Sequence, residues 1–340
     1  MKSHFFFILI LFALTGFTTK SEAQENCGSS AHHDLKMQSD TAYKNGYFES
    51  IKNLRASIQQ QSFQTLNASS KSHQIYTVPV VVHVLHLGEP IGAGTNISDA
   101  QIQAAVSGLN NRFRGVNGIG TDTEIEFCLA SQNPDGCPTT GINRVNASAV
   151  PNYSAKGMSL YNGCGAADEV TLKDLSKWTS YYYYNIWVVN LIECSTLTAS
   201  GFASPPTGTP YDGTVILASA MNALSNTLAH EVGHGFGLLH TFEEDNFGVQ
   251  CPPNANCLLD GDEVCDTPPH KQADCGATNP CSATGNWDNS KNNYMSYCGQ
   301  QDRFTADQKT RLRASFIGFP RVLLLLSKGC TPSNFASVII

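Results

Sequence analysis

The pattern of hydrophobic and polar residues divides the chain into three parts. Residues 24 to about 72 are polar, rich in Ser, Gln and Lys, with only a weak helical pattern in YFESIKNLRASI. Apolar, β-branched runs recur between residues 75 and 219, whereas residues 241–303 are rich in Gly, Pro, Asn, Asp and Cys without sustained periodicity. This order predicts a polar leader, a part built on a sheet, and an irregular part that depends on disulfides or bound ions.

Four of the apolar runs predict strands. They are IYTVPVVVHVLHL (75–87), EIEFCLA (124–130), YYNIWVVNLI (183–192) and GTVILAS (213–219). The third run is apolar almost throughout, which is typical of a strand covered on both faces. We therefore place it at the centre of the sheet.

Three segments predict helices. ISDAQIQAAVSGLNNRF begins with the capping-box spacing of Ser98 and Gln101. Its apolar face is formed by Ile102, Val106, Leu109 and Phe113. A second helix starts near Asn222 and carries HEVGH, and a third starts at Thr305, where Gln308 completes another capping box. Strands and helices together predict an α+β fold with an α/β-like upper subdomain.

Composition and charge narrow the class of protein. The 340 residues are 41% apolar and 14% charged, which is typical of a folded globular chain. The formal net charge of −7 disfavours nucleic acid or an anionic membrane as the main partner. We expect a monomer.

The first 23 residues have the features of a secretory signal peptide. Lys2 is followed by FFFILILFALTGF, too short to span a bilayer comfortably, and then by the small-residue site SEA before Gln24. A buried helix is the alternative, but the position at the N-terminus favours a cleaved signal. We therefore expect a secreted, extracellular protein. The later run VLLLL (322–326) is too short to be a membrane anchor.

If the protein is exported, most of its 12 cysteines should form disulfides, because the compartment outside the cell is oxidising. Six of them lie between Cys251 and Cys298, in the irregular part of the chain. Thiolate metal sites are the alternative, but the sequence contains no CxxC pair. Disulfides are therefore expected to staple this loop-rich region.

The stretch HEVGHGFGLLH (230–240) indicates a metal-binding site. On a helix, His230 and His234 project from the same face and bind one ion together. A catalytic zinc takes three protein ligands and a water, and Glu231 is placed to act on that water as a general base. Gly237 permits the left-handed turn that ends the helix and returns His240 as the third ligand. An apolar helix with incidental histidines is the alternative, but the eleven-residue pattern is much more specific than HExxH alone.

HEVGHGFGLLH, together with NNYMSY (292–297), resembles the metzincin clan of zinc endopeptidases, which place a methionine turn under the metal. The resemblance implies that Met295 is the turn methionine and that Tyr297 lies near the zinc. The alternatives are ordinary core packing for Met295 and a surface aromatic for Tyr297.

Further segments resemble the pappalysin family of metzincins, particularly its small secreted microbial members. In family order they are YTVPVVVHVLH, ISDAQIQAAVSGLNNRF, FCLASQNPDGCPTTGINR, LKDLSKW, YNIWVVNL, HEVGHGFGLLHTF, GDEVCDTP and NNYMSY. The resemblance implies a twisted mixed sheet with a backing helix and an active-site helix, above an irregular, disulfide-stapled lower subdomain. The expected divisions are a signal peptide (1–23), a pro-segment and linker (24–72), a metzincin catalytic domain (73–320, with its lower subdomain from 241) and a C-terminal tail (321–340).

The resemblance also implies hydrolysis of protein or peptide substrates. Zinc would be bound by His230, His234 and His240. Glu231 would take a proton from the zinc-bound water and pass it to the leaving amine, while Tyr297 would hydrogen-bond the oxyanion. The substrate would lie extended along an edge strand near GFASPP or VILAS. Two other classes stay open, a secreted zinc hydrolase acting on non-peptide amides and a non-catalytic binding module on the same fold.

The acidic loop LLDGDEVCDTPP (258–269) is a candidate calcium site. By resemblance to calcium-binding family members, the contacts are the side chains of Asp262, Asp266 and Thr267 and the carbonyl of Val264. A solvated acidic turn is the alternative. Calcium would be structural.

Cysteine pairing is predicted partly from the resemblance and partly from proximity. The resemblance suggests the pairs Cys257–Cys281 and Cys275–Cys298. Proximity adds Cys251–Cys265, Cys128–Cys137 and Cys164–Cys194, which leaves Cys330 unpaired. Cys27, in ENCGSS, is a candidate latency switch whose thiolate fills the water position on zinc, with a bystander thiol as the alternative.

Overall fold

The computed structural model describes residues 27–67, 74–161, 163–195, 199–272, 274–298, 300–318 and 320–332. The expected signal peptide lies outside these residues. No helix within the described ranges is long and apolar enough to cross a bilayer.

The described helices and strands follow one another in a fixed order along the chain. They are α1 (Ser29–Ser39), α2 (Thr41–Asn67), β1 (Tyr76–His86), α3 (Asp99–Phe113), β2 (Ile125–Leu129), β3 (Ile142–Asn146), α4 (Tyr153–Lys156), α5 (Glu169–Asp174), β4 (Tyr184–Val189), β5 (Gly201–Ser204), β6 (Gly213–Leu217), α6 (Thr227–Gly235), α7 (Ala306–Ala314) and a 3₁₀ helix (Arg321–Leu326).

A six-stranded mixed sheet lies at the centre of the described chain. Five of its strands follow the order β2-β1-β4-β6-β5, and the sixth, β3, pairs with β1. The first half of β1 pairs with β2 and its second half with β3. These pairs and the pairs of β4 with β1 and β6 are parallel, whereas β5 is antiparallel to β6 and forms an edge of the sheet. The α+β fold with a mixed sheet is therefore confirmed, and β4 lies inside the sheet as predicted.

The apolar runs become strands because both faces of the sheet are covered. Residues 78–85 of β1 are all buried, and Val78, Val80, Val82 and Val84 share one core, while Val81 and Leu85 belong to two other apolar clusters. Val82 packs with α3 and α6 on one face, while Leu85 packs with Trp187 of β4 on the other. A continuous apolar run is what such a two-sided burial requires.

Of the two capping boxes that the sequence predicts, one forms completely and the other only in part. Thr305 and Gln308 form the full capping box at the start of α7. At α3, the Ser98 hydroxyl accepts from Gln101 N, but the Gln101 side chain donates to Ala218 O and Met221 O instead of closing the box. Gln101 therefore ties α3 to the segment after β6.

Helix α6 begins later than the sequence predicts, at Thr227 and not near Asn222. The Asn222 side chain accepts from the backbone N–H groups of Leu224 and Ser225, at 3.0 and 2.9 Å. Such a side-chain bond favours a turn over a helix. The residues after Asn222 are therefore a turn that precedes the helix.

Two strands lie outside the four that the apolar pattern predicts, although the family resemblance implies an edge strand near GFASPP. INRVN (β3) has polar residues at three of its five positions and GFAS (β5) has no β-branched residue, so the local signal of each is weak. They form because longer neighbours, β1 and β6, offer free backbone groups for pairing. Of the two, β5 contacts helix α6, which carries the HEVGH sequence.

The polar N-terminal part folds into two helices that pack against the rest of the chain. Helix α1 contacts β5, and α2 contacts α1 and α7. The close packing of α2 is visible at Gly46, where a Cβ would lie 2.5 Å from Thr207 O. The weak sequence periodicity of this part reflects helices that are stabilised by docking.

The disulfides correct several of the expected pairs. The structure contains Cys128–Cys330, Cys164–Cys194, Cys251–Cys281, Cys257–Cys265 and Cys275–Cys298. The expected Cys257–Cys281 and Cys251–Cys265 pairs are wrong, because the turn after Asn256 brings Cys257 and Cys265 within 4.9 Å between Cα atoms. Cys251 and Cys281, which were expected to pair with these two, form a disulfide with each other.

The expected Cys128–Cys137 pair and the unpaired Cys330 are also wrong. The chain after the 3₁₀ helix returns to the sheet, where Ser131 N donates to Gly329 O at 2.7 Å. Cys330 thereby reaches Cys128, while Cys137 stays on an exposed loop as a free thiol. The described part of the expected C-terminal tail is thus packed on the sheet.

Candidate active site

Helix α6 places two histidines on one face and ends so that a third can join them. All nine residues of α6 are buried, including His230 and His234 one turn apart. Gly237 follows with a φ of +90°, a left-handed conformation that glycine adopts without steric cost. The chain turns there and returns His240 to the same site.

The three imidazoles converge through one nitrogen each. The Nε2 atoms of His230, His234 and His240 lie 3.1 to 3.2 Å from one another. Ligand nitrogens about 2.05 Å from a tetrahedral zinc are about 3.3 Å apart, so the spacing fits zinc closely.

The opposite ring nitrogens are held by other groups, which orients the rings. His230 Nδ1 donates to Tyr294 O at 2.6 Å, and His234 Nδ1 donates to Leu238 O at 2.9 Å. Burial lowers the pKa of His230 to about 4 and lowers the pKa of His234 and of His240 well below the ordinary value. Neutral imidazoles with unprotonated Nε2 atoms are the form in which histidine binds a metal.

Cys27 from the N-terminal part supplies a fourth atom to this cluster. Its Sγ lies 3.6 Å from His234 Nε2, and the sulfur and the three nitrogens all lie within 4.8 Å of one another. A zinc with one sulfur at about 2.3 Å places that sulfur about 3.6 Å from each nitrogen ligand. Burial, followed by the charge of Glu231, raises the pKa of the Cys27 thiol well above its ordinary value. A thiolate at this position therefore requires a cation such as zinc beside it.

Glu231 lies next to the histidines and faces the N-terminal segment. Its Oε2 accepts from Ser29 Oγ at 2.9 Å and from Cys27 Sγ at 3.5 Å. The side chain is fully buried. The carboxylate is thus held beside the metal ligands and does not belong to their cluster.

The edge strand β5 borders the same site. Gly201 lies against Glu231, where a Cβ would come within 2.9 Å of the Glu231 Cγ. The N-terminal segment pairs with this strand through Gly28 N, which donates to Gly201 O at 2.8 Å. Ala203 N also donates to Ser29 Oγ at 2.9 Å. The segment therefore covers the edge along which an extended substrate was expected.

Met295 lies beneath α6, in the place expected for a turn methionine. It is fully buried, and a Cβ on Gly233 would meet its Sδ at 2.7 Å. Its carbonyl accepts from Thr241 N at 3.1 Å, directly after the third histidine. Met295 thus supports the helix from below, and Gly233 is needed for that approach.

Tyr297 lies beside the histidines, two residues after Met295. Its hydroxyl is 3.2 Å from His240 Nε2 and donates to Cys27 O at 3.4 Å. Burial, followed by the nearby Cys27 and Glu231, raises the pKa of Tyr297 well above its ordinary value, so the phenol stays protonated. It is therefore available as a hydrogen-bond donor at the site.

Three of the four expected calcium contacts lie together. Thr267 Oγ1 donates to Asp262 Oδ2 at 2.6 Å and lies 3.1 Å from Val264 O. Asp266 Oδ2 instead accepts from Asp307 N at 3.0 Å, although its charge still acts on Asp262. Burial raises the pKa of Asp262 to about 8. No ion pair of Asp262 is found among the described residues, and oxygen donors around such a buried carboxyl fit Ca²⁺.

Sequence reasoning missed two buried arginines at the end of α6. Arg321 donates to Gly235 O and Arg311 donates to Gly237 O. It also missed Ser29, whose hydroxyl contacts Glu231. No local motif marks these residues, because each acts through a contact that spans 74 residues or more.

Comparisons with known proteins agree with this geometry. The profile of the pregnancy-associated plasma protein-A peptidase family matches residues 166–316. An extracellular metalloprotease of Sordaria macrospora is 35% identical over 241 residues, which cover 66% of this chain and 72% of that protein.

Solved structures show the same relationship. Mature mirolysin of Tannerella forsythia in complex with a cleaved peptide has a TM-score of 0.58 and 26% identity, covering 78% of this chain and all of that one. Promirolysin of the same organism has a TM-score of 0.60 and 23% identity, covering 88% of this chain and 97% of that one, and shares the fold. With its zinc-binding histidine geometry, the chain belongs to the pappalysin family of metzincin metalloproteases and is a zinc metalloendopeptidase.

Proposed function

We propose that this protein is a secreted endopeptidase, made as a latent precursor, that cleaves extracellular proteins. The observation that carries the proposal is the placement of Glu231 beside three convergent Nε2 atoms, in a cleft bordered by an edge strand. A base, a metal site and a strand edge are the parts that metal-assisted peptide hydrolysis requires.

His230, His234 and His240 would hold a zinc ion, which would supply Lewis-acid activation of the scissile carbonyl and of a water molecule. Glu231 takes a proton from that water and delivers it to the leaving amine. Tyr297, protonated beside His240, donates a hydrogen bond to the oxygen that gains negative charge.

The substrate main chain binds along β5. Gly201 O and Ala203 N now bind the N-terminal segment and become free when it leaves. A cavity of about 60 Å³ lies between the N-terminal helices and this strand, with Tyr47 and Leu54 on one wall and Pro205, Pro206 and His240 on the other. Departure of the helices leaves the second wall as an open subsite. It provides room for a substrate side chain close to the cleaved bond.

Latency is supported by the same segment. Cys27 fills the fourth ligand position, and Ser29 bonds the base Glu231, so neither water nor substrate has access to them. We propose residues 24–72 as a pro-segment before a catalytic domain that begins at residue 73 and also includes the segment of Arg321 and Cys330. The proposed signal peptide (1–23) and the extracellular relatives support export.

We further propose a structural calcium ion held by Asp262, the Val264 carbonyl and Thr267, with Asp266 nearby. The protein acts on protein or peptide substrates as a monomer.

The test of the function is the variant Glu231→Ala. The zinc-loaded protein, after release of its N-terminal helices, is incubated with denatured casein and the fragments are sequenced. We expect cleavage to fall by about 10²–10⁴-fold, the usual contribution of a general base, while zinc stays bound. Glu244→Ala, an exposed acid near the site, is the matched control.

Two results would overturn the proposal. One is undiminished proteolysis by Glu231→Ala. The other is the absence of any peptide fragment from the zinc-loaded wild-type protein, which would favour an amidase acting on non-peptide substrates or a binding module.

A further inference from the structure

Two buried arginines lie at the carboxyl end of the active-site helix α6. Arg321 donates from Nε and Nη2 to Gly235 O at 3.2 and 2.8 Å, and Arg311 donates from Nε to Gly237 O at 2.7 Å. Each arginine is 1% exposed. The last carbonyls of a helix carry partial negative charge, so cationic side chains are favourable there. The two arginines nevertheless act on different parts of the metal site.

Arg321 ties the helix end to the sheet. Its guanidinium binds both carboxylate oxygens of Asp212, at 2.6 and 3.2 Å. It also lies over the rings of Tyr184 and Phe236, about 5 Å from each centroid. Gly235 is still inside α6, so this contact stabilises the end of the helix as a whole.

Arg311 acts on the turn between two metal ligands. It holds the carbonyl of Gly237, the residue with a φ of +90° that lies between His234 and His240. The next carbonyl along the chain, Leu238 O, accepts from His234 Nδ1 at 2.9 Å. The turn therefore orients the ring of His234 through Leu238 and also sets the path of the chain to His240.

Arg311 is itself fixed in place from the acidic loop. Its Nη1 donates to Glu263 Oε2 at 2.8 Å. Glu263 also accepts from Arg55 of α2, at 2.7 and 3.3 Å, and has a φ of +56° next to Asp262. A planar guanidinium with donors at fixed angles can bind Gly237 O and Glu263 together, which a lysine ammonium cannot reproduce.

We propose that Arg311 is a positioning residue of the zinc site, which holds the Gly237 turn and thereby the geometry of His234 and His240. The proposal rests on zinc binding by the three histidines, as set out under the proposed function. Outer partners that orient metal ligands contribute about 10-fold to 100-fold to metal affinity.

The test uses the full-length chain, because Glu263 keeps Arg55 as a partner there when Arg311 is replaced. Arg311→Met, Arg311→Lys and Lys309→Met are compared at fixed, saturating calcium, since the acidic loop adjoins Glu263. Lys309 is on the same helix and is partly exposed, and its partner Glu124 keeps Arg313 when Lys309 is replaced, so Lys309 is the matched control. The zinc dissociation constant is measured by competition with a chelator, and the cobalt-substituted chain is examined by absorption spectroscopy. Urea unfolding of the zinc-free chain measures stability separately.

We expect Arg311→Met to weaken zinc binding by at least about 10-fold and to change the cobalt ligand-field bands. Arg311→Lys should lie between Arg311→Met and wild type, and Lys309→Met should match wild type. If Arg311→Met does not fold, Arg311→Lys carries the test through its zinc affinity.

A zinc dissociation constant within about twofold of wild type in both Arg311 variants, with only a lower urea midpoint, would overturn the proposal. It would assign Arg311 a purely structural role. A wild-type chain that binds no zinc would instead overturn the proposed function, so the two failures are distinguishable.

Discussion

His32 Nε2 lies 2.8 Å from Glu169 Oε2, which joins helix α1 of the N-terminal part to helix α5. Both side chains are buried, and Lys173 lies 2.8 Å from the other carboxylate oxygen. The ring of His32 also lies 5.0 Å from that of Phe202 in the edge strand β5. The attachments of the N-terminal segment therefore include the metal site, through Cys27, and the sheet, through His32.

Replacing His32 should loosen this attachment without disturbing the catalytic domain, because Glu169 keeps Lys173 as its partner. We expect His32→Ala to weaken docking of the N-terminal helices by about 2–3 kcal/mol, the cost of removing a buried charge-assisted hydrogen bond. Amide hydrogen exchange in α1 and α2 should accelerate accordingly. Lys44→Ala, an exposed change on α2, should leave the exchange rates unchanged. Equal protection in His32→Ala and wild type would contradict the prediction.

The same contact predicts how docking responds to pH. Burial acts to raise the pKa of Glu169, but His32 and Lys173 outweigh it and hold that pKa well below its ordinary value. The contribution of Glu169 is therefore present above the ordinary carboxyl pKa, about 4.3, and is lost only as the pH falls through the lowered value. Glu169 therefore stays ionised between pH 7 and pH 5, so it should cause no change in the exchange protection of α1 over that range. A sharp loss of protection within that range that is absent in Glu169→Gln would contradict this.

Cys27 should control latency. In Cys27→Ala the fourth ligand position opens, and we expect the zinc-loaded full-length chain to process itself at least about 10-fold faster, which corresponds to about 1.4 kcal/mol. The cobalt-substituted wild-type chain should also show a thiolate-to-metal charge-transfer band that Cys27→Ala lacks. Cys137→Ala removes the other free thiol and is the matched control. A charge-transfer band that survives in Cys27→Ala would show that another sulfur binds the metal.

The metal site was largely predictable because its geometry follows from local spacing. His230 and His234 are one helical turn apart, and Gly237 supplies the turn that a third ligand needs. Met295 and Tyr297 came from the resemblance to metzincins, and the structure places both at this site.

The rest of the site depends on long-range contacts that no local pattern encodes. Arg321 lies 86 residues from the carbonyl that it binds, in a segment expected to be a tail. The pairing of Cys257 with Cys265 follows from a turn whose path cannot be read from cysteine spacing. Strand β5 is four residues long and acquires its strand conformation from β6.

The Cys128–Cys330 disulfide should stabilise the whole catalytic domain, because it closes a loop of 202 residues and ties down the segment that carries Arg321. Replacing both cysteines by serine should lower the free energy of unfolding by about 2–5 kcal/mol. Both must be replaced, since a lone Cys128 would become free to pair with Cys137. Urea unfolding of the full chain measures the loss, and Cys137→Ser should unfold like wild type. A double variant as stable as wild type would show that the segment is held by packing alone.

Calcium should act mainly by compensating the charge of Asp262. Burial raises the pKa of Asp262 to about 8, so the folded chain binds a proton there that the unfolded chain releases near pH 4. Without calcium, this group therefore costs stability as the pH rises from about 4 to about 8. Calcium replaces the proton and removes that cost, so its stabilising effect should be larger at pH 8 than at pH 5.

Thermal unfolding at both pH values, with calcium chloride or with a chelator, tests this directly. We expect calcium to raise the Tm at pH 8 by at least about 3 °C, which corresponds to roughly 1 kcal/mol in a protein of this size. In Asp262→Asn the buried group no longer ionises, so both the pH-dependent loss and the response to calcium should disappear. Asp260→Asn, in the same loop, should retain both. A calcium-dependent rise in Tm that persists in Asp262→Asn would place the ion elsewhere.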